Sequence, residues 1–223
     1  SSLVDTEGDY EQWIMAAMGT AADAFTVVSV ANGESLPDPA AVSAVLITGS
    51  GAMVTDRSDW IEDTAAWLRT LAGSSVPVLG ICFGHQLLAY ALGGVVMNNP
   101  KGVEVGTVNM YLADAAASDP LFAGMRDMPV QASHRQCVMQ LPPAAIRLAT
   151  TDMDDNHAFR YGDRMWGVQF HPEFNASITR KYIEYFQDDL LQMGIEPAQK
   201  IQACQETATA NKILQRFSEQ AGG

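Results

Sequence analysis

The apolar positions of this chain recur at two spacings, and the alternation between them marks out its elements. Over residues 10–18, Trp13, Ile14, Ala17 and Met18 lie at helical spacing. Over 58–72, Trp60, Ile61, Thr64, Trp67, Leu68 and Leu71 line one helical face, and Asp59, Glu62 and Asp63 fall early, where a helix dipole favours acids. Short β-rich runs at 25–30, 44–48 and 76–81 read as buried strands instead, with a proline-containing loop at 32–40. The last of these runs passes directly into a further helical pattern, Leu87, Leu88, Ala91 and Leu92, which Gly93-Gly94 stops. From about 94 to 171 the pattern becomes one of short strands and turns, and 176–192 return to helix. Such alternation predicts an α/β fold, a doubly wound, mostly parallel sheet with helices on both faces and a strand-rich insertion. No break in composition marks a second domain. Residues 1–195 are expected to form one domain, and 196–223 a helical tail whose Ile201, Ala208, Ile213, Leu214 and Phe217 pack on that domain or on a partner.

The chemistry concentrates where strand turns into helix, at Gly80-Ile-Cys-Phe-Gly84. Gly80 and Gly84 lack β-carbons, so two backbone segments can approach there. Cys82 can then hold the strained conformation of a nucleophile elbow, its sulfur partly exposed at a helix N-terminus. Only the thiolate attacks, and a free thiol with a pKa near about 8.5 is only a few per cent ionised at neutral pH. A helix terminus adds at most about 2 kcal/mol, so a basic partner is required. Residues 165–170 read as another strand, ended at His171 by Pro172. Functional groups of open α/β sheets gather at the carboxyl ends of strands, which brings Cys82 and His171 together. Glu173 can accept the second imidazole N–H and fix the tautomer. His134, in a polar loop of the same region, is the competing base. His85 follows the elbow on the same first turn and is expected to point away from the sulfur, and His157 reads as structural. Cys137 and Cys204 show no metal-ligand spacing with each other or with the histidines, and no metal is expected.

These segments resemble a known family. Gly80-Ile-Cys-Phe-Gly-His-Gln86 is similar to the G-x-C-x-G-x-Q elbow of class I, triad-type glutamine amidotransferases, and His171-Pro-Glu173 to their H-P-E. Ala132-Ser-His-Arg-Gln-Cys-Val138 with Leu141-Pro142 resembles the S-H-x-x-x-V-x-x-L-P segment of the GMP synthase glutaminase branch. Asn99-Pro-Lys-Gly-Val-Glu-Val-Gly106 resembles that branch's N-P-x-G-x-E-x-G. The likeness runs over roughly residues 8–185 with the motifs in family order. It implies the flavodoxin-like fold of that family and hydrolysis of a γ-carboxamide through a γ-glutamyl thioester on Cys82, with His171 as base and then acid and Glu173 as its carboxylate. It also implies an oxyanion hole made by the Phe83 N–H and a second donor from Thr48-Gly-Ser-Gly51, either Gly49 or Gly51. Gln86, with backbone around Ser133 and His134, would orient the amino-acid end of the substrate; no cofactor is implied. Two departures stand out. Gly51-Ala52 replaces the proline that commonly follows those glycines, and no strand pattern precedes the segment resembling Gly8-Asp-Tyr10, where the family usually has a parallel strand.

Charge and composition then narrow the field. A net charge of -13 repels phosphate backbones and argues against nucleic acid as a partner. No run is long enough to span a bilayer, and the cysteines lack the spacing of an oxidised framework, so a cytoplasmic protein without membrane attachment is expected. Neither a G-x-x-x-x-G-K-[ST] loop nor the S-G-G-x-D-S-type loop of the GMP synthase ATP site occurs, so any synthetase that uses the ammonia is expected to be a separate subunit. The leading expectation is a free-standing glutaminase acting on glutamine. A γ-glutamyl hydrolase releasing a different amine is the enzymatic alternative, and a noncatalytic glutamine-sensing or partner-binding module the third.

Overall fold

The computed structural model describes residues 9–19 and 22–222. Helix α1 (Tyr10–Met18) starts at Asp9, whose carboxylate accepts from the Tyr10 N–H at 2.7 Å, and closes on Gly19 in the left-handed conformation. Then follow β1 (Val45–Ile47), α2 (Asp59–Leu71), β2 (Val78–Ile81) and α3 (Phe83–Ala91). The strand-rich stretch comprises β3 (Val95–Asn98), β4 (Glu104–Leu112), β5 (Met128–His134), β6 (Gln136–Gln140), β7 (Ile146–Thr150), β8 (Ala158–Tyr161) and β9 (Met165–Val168). Helices α4 (Ala176–Tyr185), α5 (Gln187–Gln192), α6 (Pro197–Ala203) and α7 (Ala208–Ala221) come last.

The principal sheet has the order β1-β2-β9-β8-β7-β4-β5, and β3 pairs with β6 in a separate ribbon. Only β1, β2 and β9 run parallel; β8, β7, β4 and β5 are antiparallel to their neighbours. The sheet is therefore mixed, where the alternation of elements predicted a mostly parallel one. Connection length explains it. Parallel neighbours need a crossover, which α2 supplies between β1 and β2, whereas β8 reaches β9 through a turn at Gly162 and has to return antiparallel.

Two further expectations change. The strand over 25–30 does not form; 25–29 are irregular, a 3-10 turn spans Val30–Asn32, and Val27 is 56% exposed. β1 is the edge of the sheet, so this β-branched run meets no partner strand among the described residues, and propensity alone does not make a strand. The helix expected over 176–192 breaks at Phe186 into α4 and α5. The strand looked for ahead of Gly8-Asp-Tyr10 lies outside the described residues.

Helices cover both faces of the sheet. On one, α1 and α7 bring Ile14, Ala210, Ile213, Leu214 and Phe217 against Leu79, Ile81, Trp166 and Val168. On the other, α2 and α3 pack Ile61, Leu68, Leu87 and Leu88 with Val78, Phe159 and Met165. Full burial of such a side chain stabilises by about 1.5–3 kcal/mol, so the C-terminal helix is part of the core that supports the strand ends. Among the described residues no helix is long and apolar enough to cross a membrane.

Candidate active site

Cys82 is the single residue between β2 and α3, with φ 51 and ψ −102. A side chain normally avoids positive φ, and the surrounding backbone holds it there. A β-carbon on Gly80 would lie 2.3 Å from the Gly84 carbonyl oxygen, and one on Gly84 would lie 2.3 Å from the Ile47 carbonyl oxygen. Strand, helix and neighbouring strand close on each other only because both positions are glycine. The Cys82 thiol points to the Ser133 carbonyl, 3.7 Å away at the end of β5. Cys82 is only 7% exposed, less than the expected elbow sulfur, because α1 and the loop after β9 bring Tyr10 and His171 to the same place.

His171 follows β9 and is tied to β5 by its own N–H, which donates to the Gln131 carbonyl at 2.8 Å. Its Nδ1 meets Glu173 Oε1 at 2.7 Å, which leaves Nε2 for Cys82. Cys82 lies close enough for its charge to act on this imidazole. Burial alone would lower the imidazole pKa; the Glu173 and Cys82 charges outweigh it, and His171 is pushed up to about 10. The ring stacks on Phe174 at 4.1 Å and has Tyr10 beside it at 5.9 Å between centroids, the two aromatics lying 6.3 Å from each other. The adjoining Pro172 carbonyl accepts from Asn211 Nδ2 of α7, so the C-terminal helix pins the loop that carries His171 and Glu173.

The other expected residues separate into near and far. A β-carbon on Gly49 would come within 3.1 Å of His171 Cε1 and 3.0 Å of Tyr10 Cε1, whereas Gly51 faces open space. Phe83 opens α3, where first-turn N–H groups have no intrahelical acceptor, and its ring packs on Trp60 at 5.5 Å. Gln86 is buried, and its amide nitrogen is engaged inside the protein, donating to the Gln136 carbonyl at 2.8 Å and Gln169 Oε1 at 3.0 Å. His134 has both ring nitrogens occupied, Nε2 by Glu104 Oε2 at 2.8 Å and Nδ1 by the Gln136 carbonyl at 2.9 Å. His85 is buried against Phe159 and the Gly167 backbone, and burial lowers its pKa to about 3. Burial raises the thiol of Cys204 and, helped by Asp154, pushes that of Cys137 up to about 12.

Sequence reasoning missed the aromatic wall. The Tyr10 and Tyr182 hydroxyls meet at 2.9 Å across 172 positions of chain, and burial raises both pKa values, with the charges of Cys82 and Glu173 adding to it. No local pattern joins residues so far apart. Ligating atoms of Glu104, His134 and His157 lie within 4.8 Å of one another, a grouping compatible with a cation, although Glu104 and His134 already bond each other.

The family model for glutamine amidotransferase class-I matches residues 2–193. The chain is 35% identical over 150 residues to YLR126C of Saccharomyces cerevisiae, a protein assigned by name to the glutamine amidotransferases; the match covers 66% of this chain and 59% of that one. Gamma-glutamyl peptidase 3 of Arabidopsis thaliana is 30% identical over 178 residues, 76% of this chain and 69% of the relative. Among solved structures, a glutamine amidotransferase from Methylobacillus flagellatus superposes with a TM-score of 0.79 at 23% identity, covering 95% of this chain and 87% of that one. That likeness is one of fold.

Proposed function

The chain belongs to the class I glutamine amidotransferase family, and on that premise we propose that it hydrolyses the γ-carboxamide of glutamine through a thioester on Cys82, releasing ammonia for a separate acceptor enzyme. The observation that carries this reading is the Cys82 backbone at φ 51 beside a buried His171 whose far nitrogen is held by Glu173 at 2.7 Å. Cys82 Sγ, its proton already passed to His171, bonds the γ-carbonyl carbon. The Phe83 and Gly49 N–H groups receive the oxyanion, and Gly49 is preferred to Gly51 because it lies against His171. As the C–N bond breaks, His171 returns the proton to the leaving nitrogen and ammonia departs. Water, deprotonated by the same imidazole, then cleaves the thioester to glutamate and the free thiol. Glu173 holds the tautomer and balances the imidazolium.

A γ-glutamyl hydrolase acting on another γ-glutamyl amine is the second reading, favoured by the similarity to a protein named gamma-glutamyl peptidase. The chemistry at Cys82 is the same, and only the leaving amine differs. The test measures glutamate and amine release by the purified chain from glutamine beside a panel of γ-glutamyl amines and dipeptides, with Cys82→Ala as the blank. Faster turnover of glutamine supports the glutaminase, preference for a γ-glutamyl amine supports the hydrolase, and equal turnover by Cys82→Ala sinks both.

A further inference from the structure

A second buried histidine and carboxylate lie beside the nucleophile without touching it. Glu104 begins β4 and sits directly across from His134 at the end of β5, while Val105 sits across from Ser133. Both charged side chains are almost wholly buried. His134 Nε2 faces Glu104 Oε2 at 2.8 Å, and its Nδ1 faces the Gln136 carbonyl at 2.9 Å. That carbonyl also accepts from Gln86 of the elbow helix at 2.8 Å. The other Glu104 oxygen accepts from the Thr151 hydroxyl at 2.7 Å.

The hydrogen-bond inventory fixes the protonation state. A carbonyl oxygen can only accept, so Nδ1 must carry a proton. An ionised carboxylate can only accept, so Nε2 must carry one too, and the proton between them stays on the stronger base, the imidazole. We infer that the Glu104–His134 imidazolium pair is a positioning device for Cys82, locking the end of β5 so that the Ser133 carbonyl faces the sulfur and, through the Gln136 carbonyl shared with Gln86, fastening that strand end to the elbow helix. This rests on the reading of Cys82 as the nucleophile. A pair of this kind costs several kcal/mol per charge to bury and holds its geometry when its polar atoms are hydrogen-bonded, as both nitrogens of His134 and both oxygens of Glu104 are. His134 is raised above its ordinary value, because Glu104 and Asp154 outweigh the effect of burial, and Glu104 is lowered in return. The other titratable neighbours are known. Asp154 and His157 come from the segment between β7 and β8, with His157 Nδ1 at 3.4 Å from Asp154 and 3.7 Å from Glu104. His85 comes from α3, Cys137 from β6, and Cys82 from the elbow.

The test combines histidine-selective ¹⁵N NMR with alkylation of Cys82 by iodoacetamide and turnover of glutamine. In the unaltered chain at pH 7.5, both His134 ring nitrogens should be protonated. In Glu104→Gln, His134 should lose a proton, and kcat and alkylation should fall roughly ten- to hundredfold with a smaller change in KM, as for a misplaced reacting group. The ratio of parent to variant rates should shrink as the pH falls and His134 is recharged, a recovery that plain structural damage would not show. Thr151→Val keeps the pair but removes one bond to Glu104, and should give a smaller shift of both readouts; it carries the test if Glu104→Gln does not fold. A neutral His134 in the parent chain overturns the inference. So do unchanged kinetics in a variant whose His134 has lost its proton, or a stoichiometric transition metal held by Glu104, His134 and His157. Turnover that survives Cys82→Ala would instead indict the nucleophile itself.

Discussion

His171 and His134 are both buried imidazoles hydrogen-bonded to a carboxylate, at 2.7 Å from Glu173 and 2.8 Å from Glu104, and they part company at the other nitrogen. In His171 the second nitrogen is left to a thiol that can give and take a proton. In His134 it is spent on a main-chain carbonyl that can only accept. On the proposed reading, the same two side-chain types make a proton shuttle in one place and a fixed strut in the other. The lesson is that a buried histidine–carboxylate pair says little about chemistry until the second nitrogen is accounted for.

The sharpest way to break the comparison is to remove what distinguishes the first pair. Cys82→Ala should lower turnover by roughly 10⁴-fold or more, and His171→Ala should do nearly the same, since members of one catalytic unit are not additive. His134→Ala should cost far less; the reverse order in steady-state kinetics would exchange the roles assigned to the two rings. Glu173→Gln should cost roughly 10³-fold and move the alkaline limb of kcat/KM, where His171 loses the proton it gives to the leaving nitrogen, to lower pH. The sign follows from the raised pKa. His171 keeps its proton until the pH passes about 10, and loses it earlier once the Glu173 charge is gone.

Stability sharpens the other side. Removing one partner of a buried pair costs about 3–5 kcal/mol, so Glu104→Gln should lower unfolding free energy by that order in denaturant titrations. Its pH window is set by both groups. Glu104 lies below its ordinary 4.5, so its contribution is present above that value and lost as the pH falls through the lowered one. His134 lies above its ordinary 6.5, so its contribution is complete below that value and lost as the pH rises through the raised one. The difference between parent and variant should peak between these limits; a flat difference would show that the pair is not charged. The smallest effect is expected at the aromatic wall, where Tyr10→Phe removes the hydroxyl contact with Tyr182, worth about 0.5–1.5 kcal/mol, and should change kcat/KM by no more than about tenfold.

What the sequence made legible was local. The elbow could be read because Gly80, Cys82 and Gly84 fall within a few residues and both glycines are demanded by a contact of main chain with main chain. His171 and Glu173 could be read because they follow a short apolar strand closely in sequence, although that strand stops at Val168 and not, as expected, at Pro172. The direction of the strands between 94 and 171 could not be read, since periodicity gives the face of a strand and not its neighbour. The run at 25–30 has the residues of a strand but no partner strand among the described residues, which no local pattern reveals. Tyr10 and Tyr182 meet across the fold, and Glu104 meets His134 across a register pairing. Both are products of topology.

The hold of α7 on the Pro172 carbonyl, together with the burial of Ile213, Leu214 and Phe217 against Trp166 and Val168, sets an order of assembly. A chain made from its N-terminus presents Cys82 early, yet the loop bearing His171 and Glu173 is not fastened until Asn211 has emerged and docked. During synthesis the thiol therefore exists for well over a hundred residues without the His171 loop fastened beside it.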